Sequence, residues 1–152
     1  MSAPVRPTEQ ALDDWLLDSS LAPVTAGDRL TPLYEAANRG ELVVPFCAAC
    51  AQVLDLDQEV CDDCGSSEST WRTVELRGTV HAATLMHRRE PGLVRTELPY
   101  PIVDVELTSG HRLVMTTALA TDTTPTIGSA VRIGFRRLGD VAIPAIDTLE
   151  DE

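Results

Sequence analysis

The chain has 152 residues and a formal charge of −12, with twenty-four acids against twelve basic residues, every one of them arginine. That length holds one ordinary domain or two very small ones. The acidic balance disfavours nucleic-acid phosphate as a partner, and the lack of lysine excludes lysine Schiff-base chemistry and a phosphate-loop lysine.

The charge is uneven. Residues 1–70 hold thirteen acids and three arginines, residues 71–146 seven acids and nine arginines, and the tail DTLEDE four acids. The second half is thus mildly basic and suits a small anionic ligand. No apolar run approaches the ~20 residues needed to cross a bilayer. The first thirty residues lack the basic start and unbroken apolar stretch of a signal peptide. A cytoplasmic location is expected, and there thiols stay reduced.

Residues 8–18, TEQALDDWLLD, place Leu12, Trp15 and Leu16 at helical spacing, with Thr8 as cap. Trp15, Leu16 and Leu17 form the most apolar spot of this acidic arm. They suit packing on the protein's own body or burial in a partner, where aromatic anchors are favoured. After a linker, DRLTPLYEAANRG reads as a second helix. Thr31 would cap it and Pro32 would take the first helical position, where a missing N–H costs nothing. Leu33, Tyr34 and Ala37 share a face, and Gly40 is a stop. Helices this short need something to pack on, the chain itself or a partner.

All four cysteines follow, in PFCAACAQVLDLDQEVCDDCG: Cys47, Cys50, Cys61 and Cys64, spaced C-x2-C-x10-C-x2-C. Two facing knuckles of this kind complete a tetrahedral four-thiolate shell. Zinc is expected, in a structural role, because four thiolates leave no open position for substrate. Iron accepts the same shell and would make an electron carrier. Gly65 follows the second knuckle as a tight turn prefers. Ala51 stands in the equivalent place of the first, with strain expected there. Asp55, Asp57, Glu59, Asp62 and Asp63 read as a solvated acidic surface rather than further ligands.

Beyond Gly65 the texture becomes β. TVELRGTVHAATLMHR is a first long strand, with Gly78 marking a bulge or bend. YPIVDVELTSGHRLVMTTAL gives two strands joined by a Ser-Gly turn at 109–110. VRIGFRRLGDVAIPAID gives two more around a Gly-Asp turn at 139–140. Val131, Ile133 and Phe135 alternate with Arg132, Gly134 and Arg136, as in a half-buried antiparallel strand. The expected fold is mainly β: N-terminal helices, a four-cysteine zinc ribbon and a five-stranded OB-fold barrel. The expected divisions are a helical segment at 1–44, the ribbon at 45–70, the barrel at 71–146 and an acidic tail at 147–152.

Helices, then C-x2-C-x10-C-x2-CG, then Trp71 and an RGTV strand resemble the family called domain of unknown function 35, a rubredoxin-like zinc ribbon joined to an acyl-CoA-associated OB-fold. The matching pieces are YEAANRGELVVPFCAAC, VCDDCGSSESTWRTVELRGTV, PYPIVDVELTSGHRLVMT and IGSAVRIGF, within residues 28–146. The ribbon and the Trp71-to-Val80 join are the most specific. Ala51 departs from the pattern but leaves all four ligands in place. The resemblance implies a non-catalytic accessory subunit in a hetero-oligomer with a thiolase-superfamily enzyme: a thiolase, an acyl-CoA aldolase or an acyltransferase. It implies a place in acyl-CoA thioester metabolism, including steroid or lipid side-chain degradation; the acidic charge and the lack of a long apolar run lead us to expect neither nucleic acid nor membrane as partner.

Coenzyme A carries phosphates that arginine pairs in bidentate fashion. Arg88, Arg89, Arg95, Arg136 and Arg137 are the candidates. Trp15, Leu16, Leu33 and Tyr34 are the candidate partner interface. His81, His87 and His111 read as packed or surface residues rather than bases. No nucleophile elbow, zincin or dinucleotide motif is present. The competing reading is a stand-alone OB-fold binder of ligand or nucleic acid.

Overall fold

The computed structural model describes residues 14–88 and 90–150. A 3-10 turn at Ser19–Leu21 and one α-helix, α1 (Thr31–Asn38), precede seven strands. They are β1 (Leu42–Cys47), β2 (Ser69–Val74), β3 (Arg77–Met86), β4 (Tyr100–Leu107), β5 (Arg112–Met115), β6 (Ala130–Leu138) and β7 (Val141–Glu150). β1 and β2 form an antiparallel two-stranded sheet, and the other five form a second sheet in the order β5-β4-β3-β6-β7. The outer strands meet where Thr117 bridges Ile146 in parallel. There the Ile146 N–H donates to Thr116 O at 3.0 Å and the Ala118 N–H to Ile146 O at 2.8 Å. The sheet thereby becomes a nearly closed five-stranded barrel, the expected OB architecture.

Alternation fills its interior. Along β4, Val103, Val105 and Leu107 point in, and along β6, Val131 and Ile133 do the same. Leu33 of α1 and Leu42 and Val44 of β1 join the same apolar cluster. Helix, ribbon hairpin and barrel therefore share one core. Gly78 lies in β3 for close approach. A Cβ there would meet Val105 Cγ1 at 2.6 Å and the Glu106 carbonyl oxygen at 2.7 Å. The bulge of β3 falls a little later, between Val80 and Ala82.

Two helix expectations need correction. Asp14–Asp18 is not helical, while residues 8–13 of that segment, with Thr8 and Leu12, lie outside the described residues. The Asp14 carboxylate accepts from the backbone N–H groups of Leu16 and Leu17 at 3.1 and 2.7 Å. The backbone then pairs with the loop before β4: Asp18 N–H donates to Leu93 O at 2.8 Å and Arg95 N–H to Leu16 O at 2.7 Å. These tertiary bonds take the groups a helix would have used. In α1, Thr31 is helical rather than the cap. Its hydroxyl donates to Thr25 O at 2.5 Å, and the Asp28 carboxylate accepts from Leu30 N–H at 2.8 Å. No described helix is long and apolar enough to cross a membrane.

Candidate metal centre and the contacts around it

The two C-x-x-C knuckles are built alike. In each, the N–H of the first cysteine bonds the carbonyl five residues on: Cys47 to Gln52 at 2.8 Å, Cys61 to Ser66 at 2.9 Å. The residue after the second cysteine closes the turn, Ala51 N–H onto Cys47 O at 2.8 Å and Gly65 N–H onto Cys61 O at 2.9 Å. That closing residue needs positive φ: Gly65 sits at 80° and Ala51 at 69°. A side chain in the left-handed region costs about 1–2 kcal/mol, so the strain expected at Ala51 is there. β1 leads into the first knuckle, and β2 pairs back along it from Cys47↔Ser69 to Leu42↔Val74.

The fold brings all four sulfurs together, within 4.8 Å of one another. Cys47 and Cys64 Sγ are 3.6 Å apart, as are Cys50 and Cys61. A tetrahedral ion with metal–sulfur bonds of ~2.3 Å would set the edges at ~3.8 Å, so the donor set fits a metal ion. The thiols also need a cation. The backbone N–H of Cys50 leads in drawing the Cys47 thiol down to about 6. Cys50 is pulled down by the Gln52 N–H, but burial and the neighbouring sulfurs push it up to about 12. Four thiolates so close ionise together only around a positive charge. Asp55, Asp57, Glu59, Asp62 and Asp63 are all exposed, and none joins the cluster.

Between ribbon and barrel stands His111, buried at the head of β5. Its Nε2–H donates to Pro45 O at 2.8 Å, so Nδ1 accepts from the Ser109 hydroxyl at 2.8 Å. Its ring meets Phe46 edge-on at 4.9 Å. Burial, opposed by Pro45 and Asp55, lowers its pKa below 6.5. Between the folded pKa and 6.5 the unfolded chain therefore holds more protons, and stability rises with pH. The neutral imidazole's contribution is full above 6.5 and lost as pH falls through the folded value. Urea melts from pH 7.5 to 5 should show this loss, and His111→Gln should remove that part of the slope; an unchanged slope would show that His111 is not its source. His81 and His87 are exposed.

The candidate arginines do not stand free. Arg88, 80% exposed, pairs with Glu90 at 2.7 Å, and Arg137 donates to Asp140 O at 3.2 Å. Arg95 donates to Leu17 O at 3.1 Å and lies 3.6 Å from Asp18. Arg136 is only 8% exposed, with Nε 3.3 Å from Oδ1 of Asp14, itself 1% exposed. Arg95 and Arg136 thus hold the two ends of the Asp14–Asp18 arm. Arg89 lies outside the described residues.

Of the apolar candidates, Leu16 and Leu33 are buried within the chain, at 3% and 5% exposure. Trp15 is half-buried, its indole N–H donating to Thr117 O at 2.8 Å, and Tyr34 is half-buried on α1. The sequence reading missed Asp14, the buried counter-charge of Arg136. As one acid among many in an acidic arm, it carries no local signal. It also missed the joining role of His111, which depends on a carbonyl 66 residues away.

Residues 71–136 match the family described as "ChsH2, C-terminal OB-fold domain". Among solved structures, one titled "Ltp2-ChsH2(DUF35) aldolase" is similar with a TM-score of 0.69 and 26% identity, over 84% of this chain and 98% of that one. Among curated proteins, the "Probable enoyl-CoA hydratase alpha subunit" of Thermomonospora curvata is 38% identical over 81 residues, 53% of this chain. The chain spans a quarter of that relative's length.

Proposed function

We propose that the chain, whose residues 71–136 match the ChsH2 C-terminal OB-fold family, is a non-catalytic accessory subunit of a thiolase-superfamily enzyme acting on acyl-CoA thioesters, in a hetero-oligomer. The observation that carries the reading is the likeness across 98% of a chain whose title joins ChsH2(DUF35) to Ltp2 in an aldolase. The site chemistry supports it. The four cysteines cluster as ligands for one ion, both ring nitrogens of His111 are engaged, and an ion in a closed four-thiolate shell holds structure rather than substrate. Zinc is the ion we propose, held by Cys47, Cys50, Cys61 and Cys64. Steroid or lipid side-chain thioesters are the substrate class we propose for the complex.

Contact with coenzyme A phosphates would fall to Arg88, Arg89 and Arg137, because Arg95 and Arg136 hold the arm. Trp15 is the anchor we propose for the partner. It lines a groove with Leu98, and Leu98 is more than half exposed.

Co-expression with a thiolase-fold enzyme of the same organism should yield a complex that survives size-exclusion chromatography. Leu98→Asp, on the exposed wall of that groove, should loosen that complex while leaving the melting temperature of the free chain within a few degrees. A chain that elutes alone, without effect on that enzyme's activity, overturns the reading. Metal analysis should return one zinc per chain in a colourless protein; a visible iron–thiolate spectrum would replace zinc with iron.

A further inference from the structure

We infer that the outer edge of β2 is a docking edge for a second copy of this chain, the two β2 strands pairing antiparallel about a two-fold axis at Trp71. Neither the metal centre nor the groove at Trp15 and Leu98 uses this edge, so the inference stands apart from the accessory reading.

The bonds around β1 fix which backbone groups of β2 are already used. Ala48 N–H donates to Glu68 O at 2.9 Å, while Cys47 N–H turns away to Gln52 O at 2.8 Å. Pro45 has no N–H, and its carbonyl accepts from Leu54 N–H at 3.2 Å and from His111 Nε2–H at 2.8 Å. Cys47 and Pro45 thus face away from β2. Phe46, Val44 and Leu42 face it, opposite Thr70, Arg72 and Val74. Alternation then sends the N–H and C=O groups of Ser69, Trp71 and Thr73 out of the other side. None of these groups bonds a described residue. Ser69 and Thr73 are exposed and Trp71 is half-buried, so the edge is open. Nor is it blunted. Its register with β1 runs from Cys47↔Ser69 to Leu42↔Val74 without a bulge. STWRTV holds no proline and is rich in β-branched and aromatic residues.

An open edge accepts any extended chain, but this one complements itself. With the axis at Trp71, Ser69 falls opposite Thr73 of the second copy, Trp71 opposite Trp71, and Thr70 opposite Arg72. Hydroxyl pairs and an aromatic pair result, both favoured across strands. Each outward residue exchanges both backbone bonds with the residue it faces. Charge fits as well. Glu68 and Arg72 are exposed on the same face of β2, and Arg72 lies over the Phe46 ring, 4.8 Å from its centroid. Neither makes an ion pair with a described residue. The pairing sets Arg72 diagonal to Glu68 of the second copy, at a spacing of about 7–8 Å that long side chains span. The other diagonal neighbour of Arg72 is Arg72 of the second copy, so each Glu68 answers a repulsion that the pairing creates. Such a contact is isologous and closes at two copies.

The test is sedimentation of the full-length, metal-loaded chain alone from about 10 µM to about 1 mM, with amide exchange followed on ¹⁵N-labelled protein over the same range. A monomer–dimer equilibrium should appear. The amides of Ser69, Trp71 and Thr73 should gain protection with concentration, while those of Thr70 and Arg72, already bonded to β1, stay unchanged. Thr73→Pro removes a donor that β1 does not use, once in each copy, and should weaken association at least about tenfold. Because a proline could disturb the strand, charge exchange gives a second reading. Arg72→Glu should weaken association about fivefold, and adding Glu68→Arg to it should restore most of that loss. A chain that stays monomeric throughout, protection without the alternation, or either single variant associating as tightly as the parent chain overturns the assignment. Alternating protection that appears only on adding a thiolase-fold enzyme gives the edge to that enzyme and overturns it too.

Discussion

Cys61→Ser, or removal of the ion by a strong chelator, should unfold the two knuckles while the barrel stays folded. Cys47, Leu54 and Cys61 form a small buried cluster of their own, separate from the main core. One buried leucine contributes about 1.5–3 kcal/mol, too little to order the twenty-odd residues from Cys47 to Glu68. Metal binding in comparable four-ligand sites contributes on the order of 10 kcal/mol. Without the ion, the thiols revert to a cluster that resists joint ionisation, and Ala51 has no reason to stay at positive φ. β1 has a different anchor: Leu42 and Val44 are embedded beside Val103, Val105 and Val131. Amide exchange should therefore quicken by at least about 1,000-fold between Cys47 and Glu68, equivalent to ~4 kcal/mol. The amides of β4 and β6 should keep most of their protection. Uniform loss across the chain would mean that ribbon and barrel fold as one unit. No change would mean that the ion contributes nothing to the ribbon's stability.

This division between local and tertiary signals also decides how much the sequence disclosed. The knuckles are written within eighteen residues, Cys47 to Cys64, so four ligands, two turns and even the awkward place of Ala51 could be read directly. The barrel strands are written in period-two alternation, and the turns at 109–110 and 139–140 are local too. The flanks of the ribbon were less legible. LVVPFC of β1 reads as a continuous apolar run because it is buried on both sides, and STWRTV of β2 has no buried residue to alternate. The arm failed for another reason. Leu12, Trp15 and Leu16 have helical spacing, yet Asp14 and the loop at Leu93–Arg95 claim the backbone. Among the arginines, sequence offered only a basic half. Which were solvated and which buried depended on where an acidic arm would lie.

That arm supplies the second large effect. Asp14→Ala should destabilise the chain by about 3–5 kcal/mol, the usual cost of leaving one partner of a buried ion pair behind. Arg136 cannot escape to water, since its side chain is 8% exposed, and burial already lowers its pKa against the pull of Asp14. The pair is no ideal bridge. Its 3.3 Å contact is misaligned, and Asp14 Oδ1, Arg136 Nε and Nη1 all lack hydrogen-bond partners among the described residues. Replacing both residues should therefore cost much less than removing either one, because desolvated charges are repaid only by good geometry. Asp14→Ala also removes the acceptor for Leu16 and Leu17 N–H. Asp14→Asn keeps an acceptor oxygen for that turn and loses only the charge, so it separates the two roles. For a chain of this size the alanine variant should melt on the order of 10 °C lower, at about 2–4 °C per kcal/mol. The Asp14→Ala/Arg136→Met double variant should regain at least half of that loss. Equal destabilisation by the single and double variants would assign the effect to the turn and the arm's packing. A loss below ~1 kcal/mol in Asp14→Ala would show that Leu16, the Trp15 indole and the pairing of Leu17 with Val94 hold the arm without the charge.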